Sequence, residues 1–100
     1  MLTREKIIQK LREELPFLKK EFGVKSIGIF GSYTKGTQSK DSDIDLIIEF
    51  EKPIGLAFMD LASYVEELLG KKVDILTPEG IKSIRVNKIA KDIKKSVIYV

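Results

Sequence analysis

The chain has 100 residues, 43% of them hydrophobic, and 18 Lys and Arg against 15 Asp and Glu. This length and apolar fraction predict one domain with one core over residues 1–100, and the mild positive excess excludes a histone-like polycation. The absence of cysteine and histidine excludes disulfides, thiolate catalysis and the commonest transition-metal ligand, leaving carboxylates, hydroxyls, Lys and Arg for any chemistry.

The first segment is predicted to be helical. Apolar residues recur every three or four positions from Ile7 to Phe22, and Thr3 is a suitable N-cap. We expect Pro16 to interrupt this pattern, so that a second short helix begins at Pro16 and ends at Gly23. No apolar run approaches the roughly 18 residues of a membrane span, and the segment does not resemble a signal peptide. We therefore expect a cytoplasmic protein with no membrane association.

Two predicted strands flank a long polar segment. Residues 24–30 are short, apolar and bounded by glycines, which predicts a buried strand. Residues 31–42 contain almost no aliphatic side chain and predict a polar loop. Residues 43–50 predict the next strand, with alternating side chains. One face carries Ile44, Leu46 and Ile48, and the other carries Asp43, Asp45 and Ile47.

The second half predicts a helix, a strand and a helix. A helix ends at Leu69 with Gly70 as its C-cap, residues 72–76 form a third strand, and a final helical stretch follows Pro78. Residues 96–100 are unusually apolar and should either pack into the core or form part of a contact surface. The expected fold class is α+β, an α/β-type sandwich in which a small mixed sheet of three to four strands packs on helices.

The polar segment carries groups that suit a triphosphate. Gly31 follows a buried strand directly, where a glycine lets the backbone approach a ligand closely. Ser32 offers a hydroxyl donor, Lys35 a positive charge, and Gly36 follows four residues after Ser32. Backbone amides that begin a helical turn favour anions. The same residues also fit a plain connecting turn with a capping serine.

Three aspartates are candidate metal ligands. Asp43 and Asp45 lie two residues apart on a strand, so they share one face with Cα atoms about 6.6 Å apart. Carboxylates this close repel each other unless a cation lies between them, and an oxygen-only set favours Mg²⁺ or Mn²⁺. Asp74 is the only acid in the third strand and joins them if that strand pairs beside the second. The alternatives are a loop-end cap for Asp43 and an exposed edge residue for Asp74.

These residues together resemble a known family. Gly31-Ser-Tyr-Thr-Lys-Gly36 followed by Ser42-Asp-Ile-Asp-Leu46 is similar to the motif of polymerase-beta-like nucleotidyltransferases. The short chain and its segment Lys71-Lys-Val-Asp-Ile-Leu-Thr-Pro78 resemble more closely the minimal nucleotidyltransferases (MNT proteins). The resemblance extends over nearly the whole chain, and its most specific part is residues 31–46.

The resemblance implies a site and a reaction. It implies that Asp43, Asp45 and Asp74 are catalytic and hold two Mg²⁺ ions (or Mn²⁺), with Asp74 helping to activate the attacking hydroxyl. It implies ATP as substrate, bound by the nucleotide-binding set Gly31, Ser32, Lys35, Gly36 and Ser42. Lys35 stands where relatives often have Arg, and lysine lacks the planar fork that makes bidentate phosphate contacts.

The resemblance also implies a partner. MNT proteins are commonly antitoxins of HEPN-domain ribonuclease toxins, so the implied function is transfer of AMP from ATP to a toxin hydroxyl, expected to be a tyrosine. One alternative is a non-catalytic antitoxin that occludes the toxin, although such a protein has no reason to keep mutually repelling acids. Another is transfer to RNA or to a small-molecule hydroxyl. We expect no direct nucleic-acid binding, and homo- or hetero-oligomers both remain open.

Overall fold

The computed structural model describes residues 3–36, 43–78 and 97–100. In chain order its elements are α1 (Arg4–Phe22), β1 (Val24–Phe30), α2 (Ser32–Lys35), β2 (Ile44–Phe50), α3 (Ala57–Leu69), β3 (Val73–Leu76) and β4 (Ile98–Tyr99). The strands form one sheet in the order β3-β2-β1-β4. The α+β prediction with a small mixed sheet is confirmed, with four strands.

Helix α1 is continuous, so the predicted break at Pro16 is wrong. Thr3 caps its start by accepting a hydrogen bond from the Lys6 amide at 3.3 Å, and Gly23 ends it with φ 68°. The apolar stripe packs on the sheet both before and after the proline, while Pro16 itself is exposed. The helix tolerates the missing N–H because burial of that stripe outweighs the local preference to break.

The sheet is mixed, and its register positions the acidic residues. Strand β1 pairs with β2 and β4 in antiparallel fashion, whereas β2 and β3 are parallel. Asp45 is the register partner of Phe30 on β1 and of Asp74 on β3. Since register partners point to the same side of a sheet, all three side chains share one face.

The two faces of the sheet are packed differently. Helices α1 and α3 cover one face, where the main core lies. Its fully buried members are Ile7, Leu11, Leu18, Ile27, Ile29, Ile44, Leu46, Ile48, Leu61 and Val65. The opposite face, here called the acidic face, carries Asp45, Asp74 and a small apolar cluster of Phe30 and Ile47 with Leu76 and Val97. This division confirms the predicted alternation along β2.

Two segments refine the predicted elements. The polar segment begins with the four-residue helix α2. Residues Ile98–Tyr99 near the apolar C-terminus form β4, which pairs with Gly28 and Ile29 of β1. Val100 packs against the main core. The expectation that this segment packs into the core is therefore the one that the structure shows. The helix expected after Pro78 lies outside the described residues. No helix in the described part of the chain combines the length and the apolarity needed to cross a bilayer.

Candidate functional site

Gly31 and Asp45 are in close contact on the acidic face. Gly31 follows β1 and has φ 78°, a conformation that favours glycine. A Cβ atom added there would overlap the Asp45 carboxylate, whose Oδ2 occupies the space beside the Gly31 backbone. A glycine is therefore required for two reasons, and the first residue of the polar segment lies in direct contact with the acid of β2.

Parallel pairing places a second acid beside the first. Asp45 and Asp74 are register partners on β2 and β3. Asp43 lies just before β2, two residues from Asp45, and is exposed. Asp74 is also exposed and lies on an edge strand of the sheet, so the structure gives it both of the positions considered from the sequence. The three predicted acids lie at one end of the β2–β3 pair.

The electrostatics of Asp45 reflect this crowding. Burial raises the pKa of its carboxyl, and the charges of Asp74 and Asp43 raise it further. All three causes disfavour the ionised form, because a half-buried carboxylate loses hydration and feels like charges. A divalent cation at this position would remove the repulsion.

The acids suit a cation whose coordination shell is completed by substrate oxygens. In residues 3–36, 43–78 and 97–100, no three acidic side chains lie close enough together to enclose an ion. Magnesium is usually held by one or two carboxylates together with waters and substrate phosphates, rather than by an all-protein cage. The mutual repulsion around Asp45 and the oxygen-only donor set therefore fit Mg²⁺ or Mn²⁺ bound together with a nucleotide.

Sequence reasoning missed the residues that hold the polar segment in place. The Thr34 amide and hydroxyl both bond the Gly31 carbonyl, at 3.1 and 2.8 Å. The Arg4 guanidinium donates to the Thr34 carbonyl at 3.5 Å. Thr34 could have been identified, because Ser and Thr hydroxyls commonly close such turns. The contact from Arg4 has no sequence signal, since it joins residues 30 positions apart.

Tyr33 is a further residue without an assigned role from the sequence. Its side chain is 2% exposed and belongs to the main core. Its hydroxyl is buried and has no hydrogen-bond partner among the described residues, and the Lys71 ammonium lies 5.8 Å from the centre of its ring. Tyr33 thus anchors α2 in the core at the cost of an unsatisfied hydroxyl.

The structure describes only some atoms of the other predicted nucleotide-binding residues. Gly36 is exposed at the end of α2 with φ 73°. The backbones of Ser32 and Lys35 belong to α2, whereas their side chains, and Ser42 as a whole, lie outside the described residues. Their phosphate-binding roles stay predictions.

A separate cleft lies at the other end of β2. It has a volume of about 390 Å³ and is lined mainly by residues 48–54 with Thr77 and Pro78. Among the residues that the structure describes, none of the predicted site residues borders it. The acidic face, with its paired carboxylates, is the better candidate for chemistry, because a triphosphate needs charged and backbone contacts more than an enclosed volume.

Comparisons with known proteins show which family the sequence matches. A family model described as "Nucleotidyltransferase domain" matches residues 8–100. Protein adenylyltransferase MntA of Thermococcus cleftensis is 42% identical over 101 residues, which span 100% of this chain and 98% of that protein.

Two solved structures share the fold. One, assigned as a minimal nucleotidyltransferase, superposes with a TM-score of 0.73 at 28% identity, over 97% of this chain and 95% of the other. The second is a toxin–antitoxin structure with AMP-PNP, with a TM-score of 0.63 at 26% identity, over 98% of this chain and 72% of that chain.

Proposed function

The chain belongs to the nucleotidyltransferase domain family, and from this premise we propose that it transfers AMP from ATP to a tyrosine hydroxyl of a HEPN-domain ribonuclease toxin, acting as its antitoxin. The named adenylyltransferase relative supports a protein acceptor. The toxin–antitoxin structure with an ATP analogue supports both the nucleotide and the kind of partner.

One observation carries the proposal. The Asp45 carboxylate lies against the Gly31 backbone and pairs in register with Asp74. A nucleotide whose phosphates approach Gly31 would therefore have its reacting phosphorus beside two carboxylates. Positioning and charge neutralisation are the main requirements of phosphoryl chemistry, and neither needs histidine or cysteine.

Each residue has a defined role in the reaction. The Gly31 backbone, with Ser32, Lys35, Gly36 and Ser42, would bind and orient the triphosphate. Asp43, Asp45 and Asp74 would hold two Mg²⁺ ions, which supply neutralisation of charge on the attacking and leaving oxygens when bound.

The reaction balances without another reagent. The acceptor oxygen attacks the α-phosphorus and forms a new O–P bond as the bond between the α-phosphorus and its bridging oxygen to the β-phosphate breaks. Pyrophosphate leaves with that bridging oxygen. Asp74, which is exposed, would receive the acceptor's proton and pass it to solvent. The products are an AMP-modified tyrosine and pyrophosphate.

The test is a transfer assay with the HEPN-domain protein from the same genome. With Mg-ATP, the wild-type chain should add one or more AMP units to that protein, as measured by intact mass. Asp45→Asn and Asp43→Asn should each slow the transfer by about a hundredfold or more, and a chelator should stop it. Glu51→Gln is the control, because Glu51 is an exposed acid at the opposite end of β2.

Catalysis and occlusion give opposite results. If the Asp43→Asn, Asp45→Asn double variant still labels the HEPN-domain protein, the assignment of the active site is wrong. If the double variant does not label it but still inhibits its ribonuclease activity fully, the antitoxin acts by occlusion.

A further inference from the structure

Strand β3 is an edge of the sheet and lies directly beside the candidate active site. Within the described residues it pairs with β2 on one side only. Its four residues contain no proline and no lysine, the residues that commonly protect an exposed edge. Asp74 lies in the middle of this strand and is exposed.

The direction of the backbone groups on β3 follows from two hydrogen bonds. The Ile44 amide donates to the Lys72 carbonyl at 3.0 Å, so the backbone groups of Lys72 point toward β2. Backbone groups alternate in direction along a parallel strand, so Val73 and Ile75 direct theirs away from β2. The Val73 amide indeed donates to Glu66 Oε2 of α3, at 3.1 Å.

The outward side of β3 is therefore divided into two parts. One part is the Val73 amide, which is already hydrogen-bonded to the Glu66 carboxylate. The Val73 carbonyl and both backbone groups of Ile75 also point outward, and no strand in the described part of the chain pairs with them. Two acceptors and one donor in this spacing match the pattern that a further extended strand would present.

Resting on the function proposed above, we infer that the acceptor protein docks by β-strand addition, with the extended segment that carries its target hydroxyl paired to the outward edge of β3. The segment's hydroxyl residue lies opposite Asp74 and on the same face. Strands pair about 4.8 Å apart, so this residue is one strand spacing from Asp74 and two from Asp45.

This geometry favours tyrosine over serine as the acceptor. On the proposed function the reacting phosphorus lies near Asp45 and Gly31, which are in contact with each other. Because Asp45 is on β2, this position is across β3 from the added strand. A phenol hydroxyl extends far enough from its own backbone to cross one strand, whereas a serine hydroxyl stays close to its Cβ. The added strand thus selects the acceptor by reach.

The charges along β3 complement such a segment. Lys72 and Asp74 are both exposed and two residues apart, so they point to one face. With the hydroxyl residue opposite Asp74, an acidic residue two positions away lies opposite Lys72 and gains a cross-strand ion pair. The edge therefore carries a charge pattern in addition to hydrogen-bonding groups.

Proline at position 75 tests the inference directly. Ile75→Pro removes an amide that faces outward and leaves the pairing to β2 intact, which is the setting in which edge strands tolerate proline. Ile75→Ala is the matched control, because it loses a similar side chain and keeps the amide. We expect Ile75→Pro to lower kcat/KM for the HEPN-domain protein about tenfold relative to Ile75→Ala, with the affinity for Mg-ATP unchanged.

The failure of the inference is distinguishable from the failure of the proposed function. If the wild-type chain does not modify the HEPN-domain protein, the proposed function fails, and the docking mode with it. If the wild-type chain does modify it, and the Pro and Ala variants do so equally, only the docking mode is overturned.

Hydrogen exchange on the unmutated chain gives a second test that does not depend on the folding of a variant. The Ile75 amide should exchange quickly in the free chain and slowly after addition of the HEPN-domain protein with AMP-PNP, while the Val73 amide changes less. Slow exchange of Ile75 in the free monomer would show that this chain covers its own edge. Protection that grows with the concentration of this chain alone would show a second copy there. Either result overturns the inference.

Discussion

Asp45 is half-buried between two other carboxylates, and its raised pKa has a consequence for stability. A carboxyl that binds its proton more tightly in the folded chain than in the unfolded chain is destabilising when ionised. The fold is therefore most stable at low pH with respect to this group, and loses stability as the pH rises above about 4. On the function proposed above, the role of Asp45 opposes stability, as is common at active sites.

Replacing this acid by its amide should stabilise the protein. Asp45→Asn removes the charge that burial, Asp74 and Asp43 all disfavour. We expect the Tm at pH 7 to rise by about 2–5 °C, with little gain below pH 4, measured by calorimetry across pH. Glu51→Gln, at an exposed acid, should leave Tm nearly unchanged. A lower Tm for Asp45→Asn at pH 7 would mean that a further contact stabilises the ionised carboxylate in the folded chain.

Tyr33 of α2 and Tyr64 of α3 should respond differently to loss of the hydroxyl group. The Tyr33 hydroxyl is buried and finds no hydrogen-bond partner in residues 3–36, 43–78 and 97–100, and an unsatisfied buried group costs about 1–3 kcal/mol. Tyr33→Phe should therefore raise the free energy of unfolding by about 1 kcal/mol, measured by urea denaturation. Tyr64→Phe is the matched control, because the Tyr64 hydroxyl donates to Glu14 at 2.6 Å, and its removal should not stabilise. A destabilised Tyr33→Phe would show that this hydroxyl has a partner in solution.

At the scale of secondary structure, helix α1 contains one residue, Pro16, that lowers its stability and can be replaced. Pro16 lies inside the helix, is exposed, and leaves the carbonyl of Arg12 without its usual amide donor. Pro16→Ala restores that donor and removes no buried surface. We expect a gain of about 1–3 kcal/mol in the free energy of unfolding, measured by denaturant titration. Lys20→Ala, an exposed substitution in the same helix, should change stability by less than about 0.5 kcal/mol. A loss of stability in Pro16→Ala would show that the proline shapes the helix in a way that the sheet requires.

Elements whose side chains alternate or recur regularly were predictable. The faces of β2, the extent of β1, and the glycine that ends α3 all follow from side-chain spacing and from backbone conformations that glycine prefers. The continuity of α1 was not predictable, because tertiary burial on both sides of Pro16 overrides a local rule. Strand β4 was missed because two residues are too few to show a strand pattern in the sequence. In the structure it pairs with β1, and Val97 and Tyr99 fill the space that a Cβ atom on Gly28 would need.

At the scale of the whole molecule, the candidate site depends on topology. The sequence identifies Asp43 and Asp45 as a pair, because two positions on one strand suffice for that inference. Placing Asp74 beside them needs the parallel pairing of β2 and β3, which depends on how α3 returns the chain along the sheet. The nucleotidyltransferase family assignment is confirmed, whereas the single-domain organisation and the roles of the individual site residues stay predictions.

On the proposed function, the parallel pairing of β2 and β3 links correct folding to activity. A shift of this pairing by one residue would send Asp74 to the helical face of the sheet while Asp45 stayed where it is. Such a molecule could retain most of its secondary structure and yet have lost one of its three acids. The fraction of a preparation that completes one turnover is therefore a measure of how many molecules have aligned these two strands correctly.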